Sequence, residues 1–573
     1  MNRRRRQSVR MSRGRFYVVI IAMAAAVAVL IARAADVQLL RNDFYQDQGN
    51  ARHVRQVPIV AVRGAILDRN GEPLAISSPI HSVWGNPAEM LRHPDRLVEL
   101  ARALGMSSEA LARRIGQRAE REFVYIRRHV APDLAETVAA LEIPGVSLER
   151  EYRRYYPAGE ATSHVLGMTD IDERGQEGLE LAFNEWLSGA SGMKRVVKDL
   201  YGRTIENVEL VQQPRQGRDL VTTVDRRLQY LAYRALKAGV AERGARSGSV
   251  VALDVRSGEV LAMANVPSYN PNDRSRSPGE SIRNRAVTDF FEPGSVIKPF
   301  TVAAALESGR YRRDTVVHTS PGFLKVGAYT IRDFRDYGDL DLTGILTKSS
   351  NVGASKLALN LEAGHLWDAY KRFGFGEVSG SGFPGESPGL LPHFQRWREV
   401  EQAAISYGYG LSTTPLQLAQ AYAAIANRGR IRAPTFVKGA LNPDSAVIDP
   451  TLANRLVEMM ETVTGDLGTG TRAAVPNYRV AGKTGTSRKA ADDGYDDRYV
   501  ATFAGFAPAS DPQIVVVVSV NDPATEEYGG GQVAAPVFRE VMQAALRLTG
   551  IAPDNLMEDE PVRATNFLAG GQP

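Results

Sequence analysis

Residues 16–32 read FYVVIIAMAAAVAVLIA, 17 positions without a charge. As a helix this stretch is about 26 Å long, slightly short of a hydrocarbon core of about 30 Å, but Arg33 can snorkel and Ala34 and Ala35 extend the apolar run. One membrane-spanning helix over 16–35 is therefore expected. Residues 36 to about 57 mix charges with helical apolar spacing and predict a helix that leads away from the membrane. Strand-like fragments follow from residue 59, broken by Gly64 and by the turn Arg69-Asn70-Gly71. Between about 87 and 142 the spacing turns helical (LVELARALG, SSEALARRIGQRAE, LAETVAALE), and strands and loops return through the Tyr-rich residues 152–157.

The pattern changes near residues 215–225. Residues 220–224 predict a strand, 226–241 a helix, and 248–254 with 259–264 a hairpin about the turn Arg256-Ser257-Gly258. The apolar run 514–520 predicts a buried strand and residues 535–548 a last helix, beyond which a flexible tail is expected. A chain of 573 residues exceeds what one core organises, and about 150 residues per domain suggests two to four units. The expected architecture is a multidomain α+β protein, with a basic tail over 1–15, an anchor over 16–35, an irregular α+β domain over 36–217, a larger domain over 218–552 and a tail over 553–573.

Composition narrows the function. With 43% hydrophobic and 24% charged residues, neither wholesale disorder nor a polytopic membrane protein fits. The formal charge of +5 invites a nucleic-acid reading, but residues 1–15 hold seven arginines and no acid, so the rest of the chain is net negative and no nucleic-acid partner is expected. Arginines on the N-terminal side of the apolar run place everything after residue 35 outside the cytoplasm. A signal peptide cleaved at Ala32-Arg33-Ala34 competes with this reading, but the run exceeds the usual 7 to 15 residues of such a segment, which favours a retained anchor. The absence of cysteine excludes disulfides, thiolate zinc sites and Cys nucleophiles. The eight histidines are scattered, with no H-E-x-x-H pair, so neither a metal nor a cofactor is expected.

Three short motifs carry the candidate chemistry. The first is Ser295-Val296-Ile297-Lys298, an S-x-x-K tetrad. Pro299 is tolerated only near a helix start, so a helix begins close to Ser295, whose first-turn N–H groups favour developing negative charge. Three residues along, Lys298 shares a face with Ser295, and a desolvated lysine can serve as its base. Alone, the tetrad is more often a capped helix than a nucleophile. The second motif, Ser349-Ser350-Asn351, lies 54 residues on. Its hydroxyl can relay a proton and its amide can place a substrate carbonyl, although by itself it reads as a cap or turn.

The third motif is Lys483-Thr484-Gly485-Thr486, followed by Ser487-Arg488. Small residues let a peptide backbone approach a strand edge, Lys483 offers a cation to a carboxylate, Thr484 and Thr486 offer hydroxyls, and the Thr486 N–H can complete an oxyanion hole with that of Ser295. A phosphate loop is excluded because Asn477 stands where G-x-x-x-x-G-K-[ST] needs glycine. S-x-x-K, S-x-N and K-T-G in this order form the set of active-site serine β-lactamases and penicillin-binding proteins, which is far more specific than any one motif.

With these motifs the chain resembles the class B penicillin-binding proteins, and among them the septal peptidoglycan transpeptidases of Gram-negative bacteria. The resemblance spans nearly all of residues 16–550. It includes Arg63-Gly64-Ala65-Ile66-Leu67-Asp68-Arg69-Asn70-Gly71, Tyr155-Tyr156-Pro157-Ala158-Gly159, Gly178-Leu179-Glu180 and Tyr407-Gly408-Tyr409-Gly410. It implies a cytoplasmic tail, one inner-membrane helix, a non-catalytic pedestal over 36–217 and a periplasmic transpeptidase domain over 218–552, with helices around an antiparallel sheet as in serine β-lactamases.

The family's mechanism, carried over by motif, makes Ser295 the residue acylated by the penultimate D-Ala of a stem peptide and Lys298 its base. Ser349 and Asn351 assist proton transfer and placement, the catalytic Lys483 with Thr484 and Thr486 holds the carboxylate and oxyanion, and Gly485, Tyr407, Tyr409 and Arg488 complete the substrate site. Implied partners are donor and acceptor stem peptides, β-lactams as covalent inhibitors, a SEDS-family glycosyltransferase and other division proteins. Asn351, where elongation enzymes often carry aspartate, favours the septal type. A β-lactamase is disfavoured by the anchor and the large N-terminal region. A non-catalytic sensor would need a signalling domain that 15 residues hardly supply.

Overall fold

A computed structural model describes residues 13–41, 54–198, 204–273, 279–491 and 494–556. The expected anchor is the helix Arg13–Ala35, none of whose 23 residues is buried. At 1.5 Å per residue it reaches about 35 Å, enough to cross a bilayer core. A π-helical turn, Asp36–Leu40, continues it. Most of the basic tail (1–12), most of the C-terminal tail (557–573) and residues 42–53 of the expected second helix lie outside the described residues. That helix does not extend to residue 57, because Val54–Ile59 is a strand paired antiparallel with Gly192–Lys198.

The chain forms two compact units, each drawn from separate stretches. The first comprises residues 1–61, 80–151 and 190–216. It contains the three-stranded sheet Val54–Ile59, Gly192–Lys198 and Thr204–Gln212. Around a second strand system pack the amphipathic helices Pro94–Ala103, Ser108–Gly116 and Pro132–Ala140, which bury Leu100, Leu111 and Val138. The helical pattern expected over 87–142 is interrupted by the strand Val124–Val130. Val124 and Ile126 alternate inward there, and this period-two, β-branched run pairs with residues 81–85.

The second unit comprises residues 62–79, 152–189 and 217 onward. Its centre is a five-stranded antiparallel sheet in the order Val260–Val266, Ser247–Asp254, Ile514–Asn521, Gly494–Ala507, Ala481–Ala491. Helices cover both faces, which is why 514–520 reads as an unbroken apolar run rather than an alternating one. Val250, Ala252, Val516 and Val518 pack under the helices Arg226–Glu242 and Gly530–Thr549. Val251, Leu253, Val515 and Val517 face the opposite core, with Phe300, Phe373 and Tyr422. The strand Ala481–Ala491 forms one edge.

The segments quoted for the pedestal fold largely within this second unit. Glu180 is fully buried and receives Arg63 Nε at 2.8 Å and Arg154 Nε at 2.6 Å, so the charges arrive paired. Asp68 Oδ1 accepts from the N–H groups of Asn70 and Glu72, which closes the Arg69-Asn70-Gly71 turn, and Asp68 Oδ2 accepts from Arg226 N at 3.2 Å. Gly64 is required sterically, since a Cβ there would lie 2.1 Å from the Arg218 carbonyl oxygen.

Candidate active site

Ser295 sits in a 3-10 turn, Gly294–Ile297, that runs directly into the helix Lys298–Glu307 with Pro299 in its first turn. The turn packs against the motif strand. A Cβ on Gly294, at φ 57°, would meet the Thr486 carbonyl at 2.9 Å, and one on Gly485 would meet the Pro293 carbonyl at 2.8 Å, so both positions need glycine for the two segments to touch.

Ser349 ends the helix Leu342–Lys348 in a left-handed conformation, φ 59°, and Ser350 caps the next helix, Asn351–Leu359. This costly geometry for a non-glycine residue turns both the Ser349 carbonyl and its hydroxyl toward the lysines. Lys298 is fully buried, and its Nζ lies 2.9 Å from Ser295 Oγ, 2.6 Å from the Ser349 carbonyl oxygen, 2.7 Å from Asn351 Oδ1 and 3.3 Å from Ser349 Oγ. Lys483 Nζ, also fully buried, reaches Ser349 Oγ at 2.8 Å and the Thr484 carbonyl oxygen at 3.2 Å. The three motifs thus converge on Ser349 Oγ.

Burial pushes both amines down: Lys483 to about 7, and Lys298 well below the usual lysine range. The charge of Lys483 lowers Lys298 further, and the Asp333 carboxylate opposes that. Two ammonium groups around one hydroxyl repel each other, which favours loss of a proton from Lys298. In the neutral form the two N–H groups can serve Ser349 O and Asn351 Oδ1, and the lone pair can accept from the Ser295 hydroxyl.

Asp333 was missed in the sequence, having no motif spacing to mark it. Its Oδ1 accepts from Asn351 N at 2.5 Å and Val352 N at 3.0 Å, and its Oδ2 accepts from the Ser350 hydroxyl at 2.5 Å. It therefore pins the start of the helix that carries Asn351. Asn351 Nδ2 donates to the Arg332 carbonyl at 3.0 Å, which fixes the amide with Oδ1 toward Lys298.

The motif strand offers an open edge. Arg488 N donates off that edge to Tyr409 Oη at 3.2 Å, and in an antiparallel ladder the N–H and C=O of Thr486, two residues earlier, face the same way. The Thr486 hydroxyl is engaged elsewhere, accepting from Gly530 N at 3.0 Å, and the Thr484 hydroxyl lies 2.7 Å from that of Thr469. Tyr407 and Tyr409 stand side by side, ring centroids 5.6 Å apart, and Tyr409 meets Tyr495 edge-on at 5.2 Å. The Arg488 side chain is exposed and pairs with Asp497. Among the described residues no cluster of His, Cys, Asp and Glu could hold a metal ion.

Residues 248–543 match the penicillin binding protein transpeptidase domain, and residues 58–222 match the penicillin-binding protein dimerisation domain. The chain is 42% identical over 552 residues to a probable peptidoglycan D,D-transpeptidase, PbpC, of Pseudomonas aeruginosa, covering 96% of this chain and 97% of that one. It is 44% identical over 538 residues to the peptidoglycan D,D-transpeptidase FtsI of Escherichia coli, covering 93% and 91%. Among solved structures, penicillin binding protein 3 of Mycobacterium tuberculosis in complex with aztreonam superposes with a TM-score of 0.68 at 28% identity, over 87% of this chain and 98% of that one.

Proposed function

Because the chain belongs to the class B penicillin-binding proteins, we propose that it is a serine D,D-transpeptidase that cross-links peptidoglycan stem peptides in septal wall synthesis and is acylated by β-lactams. The observation that carries this reading is the buried Lys298 amine 2.9 Å from Ser295 Oγ, where burial favours its neutral form. A donor peptide lies along the open strand edge with its terminal carboxylate at Lys483, Thr484 and Thr486. Ser295 Oγ attacks the penultimate D-Ala carbonyl as its proton passes to Lys298 Nζ, and the oxyanion is met by the N–H groups of Ser295 and Thr486.

The proton returns through Ser349 Oγ to the leaving D-Ala nitrogen, and the C–N bond breaks. An amine of a neighbouring stem peptide then attacks the acyl-enzyme, and Ser295 recovers its proton. Asn351 orients the substrate amide, Tyr407, Tyr409, Gly485 and Arg488 line the path, and no metal or cofactor enters the steps.

We read residues 36–217 as the pedestal and 218–552 as the transpeptidase domain, a division that the matched spans support. The helix Arg13–Ala35 holds the protein in the inner membrane as a single pass, N-terminus cytoplasmic and catalytic domain periplasmic. In this reading the anchor and pedestal meet a SEDS-family glycosyltransferase and other division proteins. The test of activity is mass spectrometry with a D-alanyl thioester donor and a D-amino acid acceptor. Transfer product is expected, and hydrolysis alone would contradict the transpeptidase assignment.

A further inference from the structure

A groove of about 530 Å³ follows the helix Leu342–Lys348, walled by Arg313, Thr343, Thr347 and Lys348 together with Thr462 and Leu467 of the loop 462–470. One end of it borders the candidate site. Lys348 immediately precedes Ser349, and its Nζ reaches the Leu467 carbonyl oxygen at 2.9 Å. Two residues beyond Leu467, the Thr469 hydroxyl lies 2.7 Å from that of Thr484. The rim made by Lys348 and Leu467 therefore stands next to the Lys483-Thr484 end of the motif strand.

The chemistry decides what passes this rim. With the donor's terminal carboxylate at Lys483, Thr484 and Thr486, the leaving D-alanine departs at this end of the strand. Transfer to an amine is the same step run backwards: the acceptor nitrogen bonds to the Ser295 ester carbonyl, the C–Oγ bond breaks, and one amine proton goes to Ser295 Oγ. The incoming nitrogen must take the position that the leaving nitrogen vacated, at about 3 to 3.5 Å from the carbonyl carbon before attack. Its chain then extends the way D-alanine left, past Thr484 and Thr469 to the groove.

The charges on the walls select among chains. Arg313 is engaged by Glu458 at 2.7 Å, Asp341 accepts from Gly344 N at 2.6 Å, and Asp466 is exposed, where water and salt screen it. Lys348 is half-buried and has no carboxylate partner among the described residues. After the bond to Leu467, two N–H groups of its ammonium remain for a ligand. A stem peptide supplies the matching group, since the carboxylate that ends a donor also ends its neighbour.

We propose that this groove holds the acceptor stem peptide, with the acceptor's own terminal carboxylate at Lys348 and its chain along the helix Leu342–Lys348. The assignment rests on the transpeptidase reading and places the second substrate of that reaction.

The test uses the full chain in detergent, one D-alanyl thioester donor and three acceptors: D-alanine, a stem peptide with a free side-chain amine, and the same peptide as its C-terminal carboxamide. The carboxylate peptide is expected to exceed its carboxamide by about fivefold in kcat/KM for transfer, as for a hydrogen-bonded charge at a half-buried site. Lys348→Gln should bring that ratio near one, and Lys348→Arg should keep it. In both variants transfer to D-alanine, which is too short to reach the groove, and penicillin labelling of Ser295 should keep wild-type rates. A wild-type ratio within about twofold, a ratio that survives Lys348→Gln, or a loss shared equally by D-alanine transfer and penicillin labelling would overturn the proposal. Transfer to D-alanine separates the two readings. An enzyme that forms that product yet ignores the peptide's carboxylate overturns the groove assignment alone, whereas hydrolysis of the donor with no transfer to any acceptor overturns the transpeptidase reading and the groove assignment with it.

Discussion

Replacing Lys298 by methionine removes the amine while keeping the stem that fills the core. The structure sets the size of the effect. Among the described residues the amine hydrogen-bonded to Ser295 Oγ is Lys298 Nζ, whereas Lys483 Nζ bonds to Ser349. No second base can take over, so the full loss for a positioned base is expected, 10² to 10⁴-fold in acylation rate, or about 2.7 to 5.5 kcal/mol at the barrier. The fold should change far less. The Ser349 carbonyl and Asn351 Oδ1 lose a donor at about 1 to 3 kcal/mol each, but the desolvation cost of a buried amine disappears with it. Stopped-flow acylation by a fluorescent penicillin, paired with a thermal melt, separates the two. A loss under about threefold in a folded variant would show that Lys298 is a structural helix residue and that the base lies elsewhere.

Asp333→Asn keeps an oxygen for the Asn351 and Val352 N–H groups but takes the anionic acceptor from the Ser350 hydroxyl, a bond of about 1.5 to 3 kcal/mol. Acylation should slow about tenfold, and an unchanged rate would remove Asp333 from the site's support. Burial lowers Lys483 to about 7, so in its proposed role it binds carboxylate in the charged form that prevails below that pH. kcat/KM for a carboxylate-terminated donor should therefore fall as pH rises above about 7, with no such limb for a donor lacking the carboxylate; matching profiles would contradict the assigned role. The penicillin adduct should persist for many minutes after free drug is removed, because a transpeptidase must hold its acyl-enzyme against water until an amine arrives. Recovery of free enzyme within seconds, followed by mass spectrometry, would favour a β-lactamase.

The candidate site was legible because its groups sit at short covalent spacings with separate meanings. Ser295 and Lys298 share a helix face, and Lys483 to Thr486 read as an edge-strand motif before any fold is known. What joins them is tertiary. Asp333 carries no local signal, since its value comes only from standing at the start of the Asn351 helix. The sheet core was equally plain at 514–520, whereas the strand Val124–Val130 was hidden among helical neighbours whose pattern outweighed a short period-two run. At residues 54–57 the charge-rich spacing suggested helix, but pairing with Gly192–Lys198 holds the segment extended, as tertiary context often overrides local propensity. Arg63, Arg154 and Glu180 meet in a buried ion network, and no local pattern marks the Arg63–Glu180 pair, whose members lie 117 residues apart.

The central claim, that Ser295 is a nucleophile activated by Lys298, is tested most directly by digesting the penicillin-treated full chain and locating the adduct by peptide mass spectrometry. One covalent addition on the peptide that contains Ser295, absent from Ser295→Ala, is predicted. Labelling that survives Ser295→Ala, or that sits on another peptide, would contradict it.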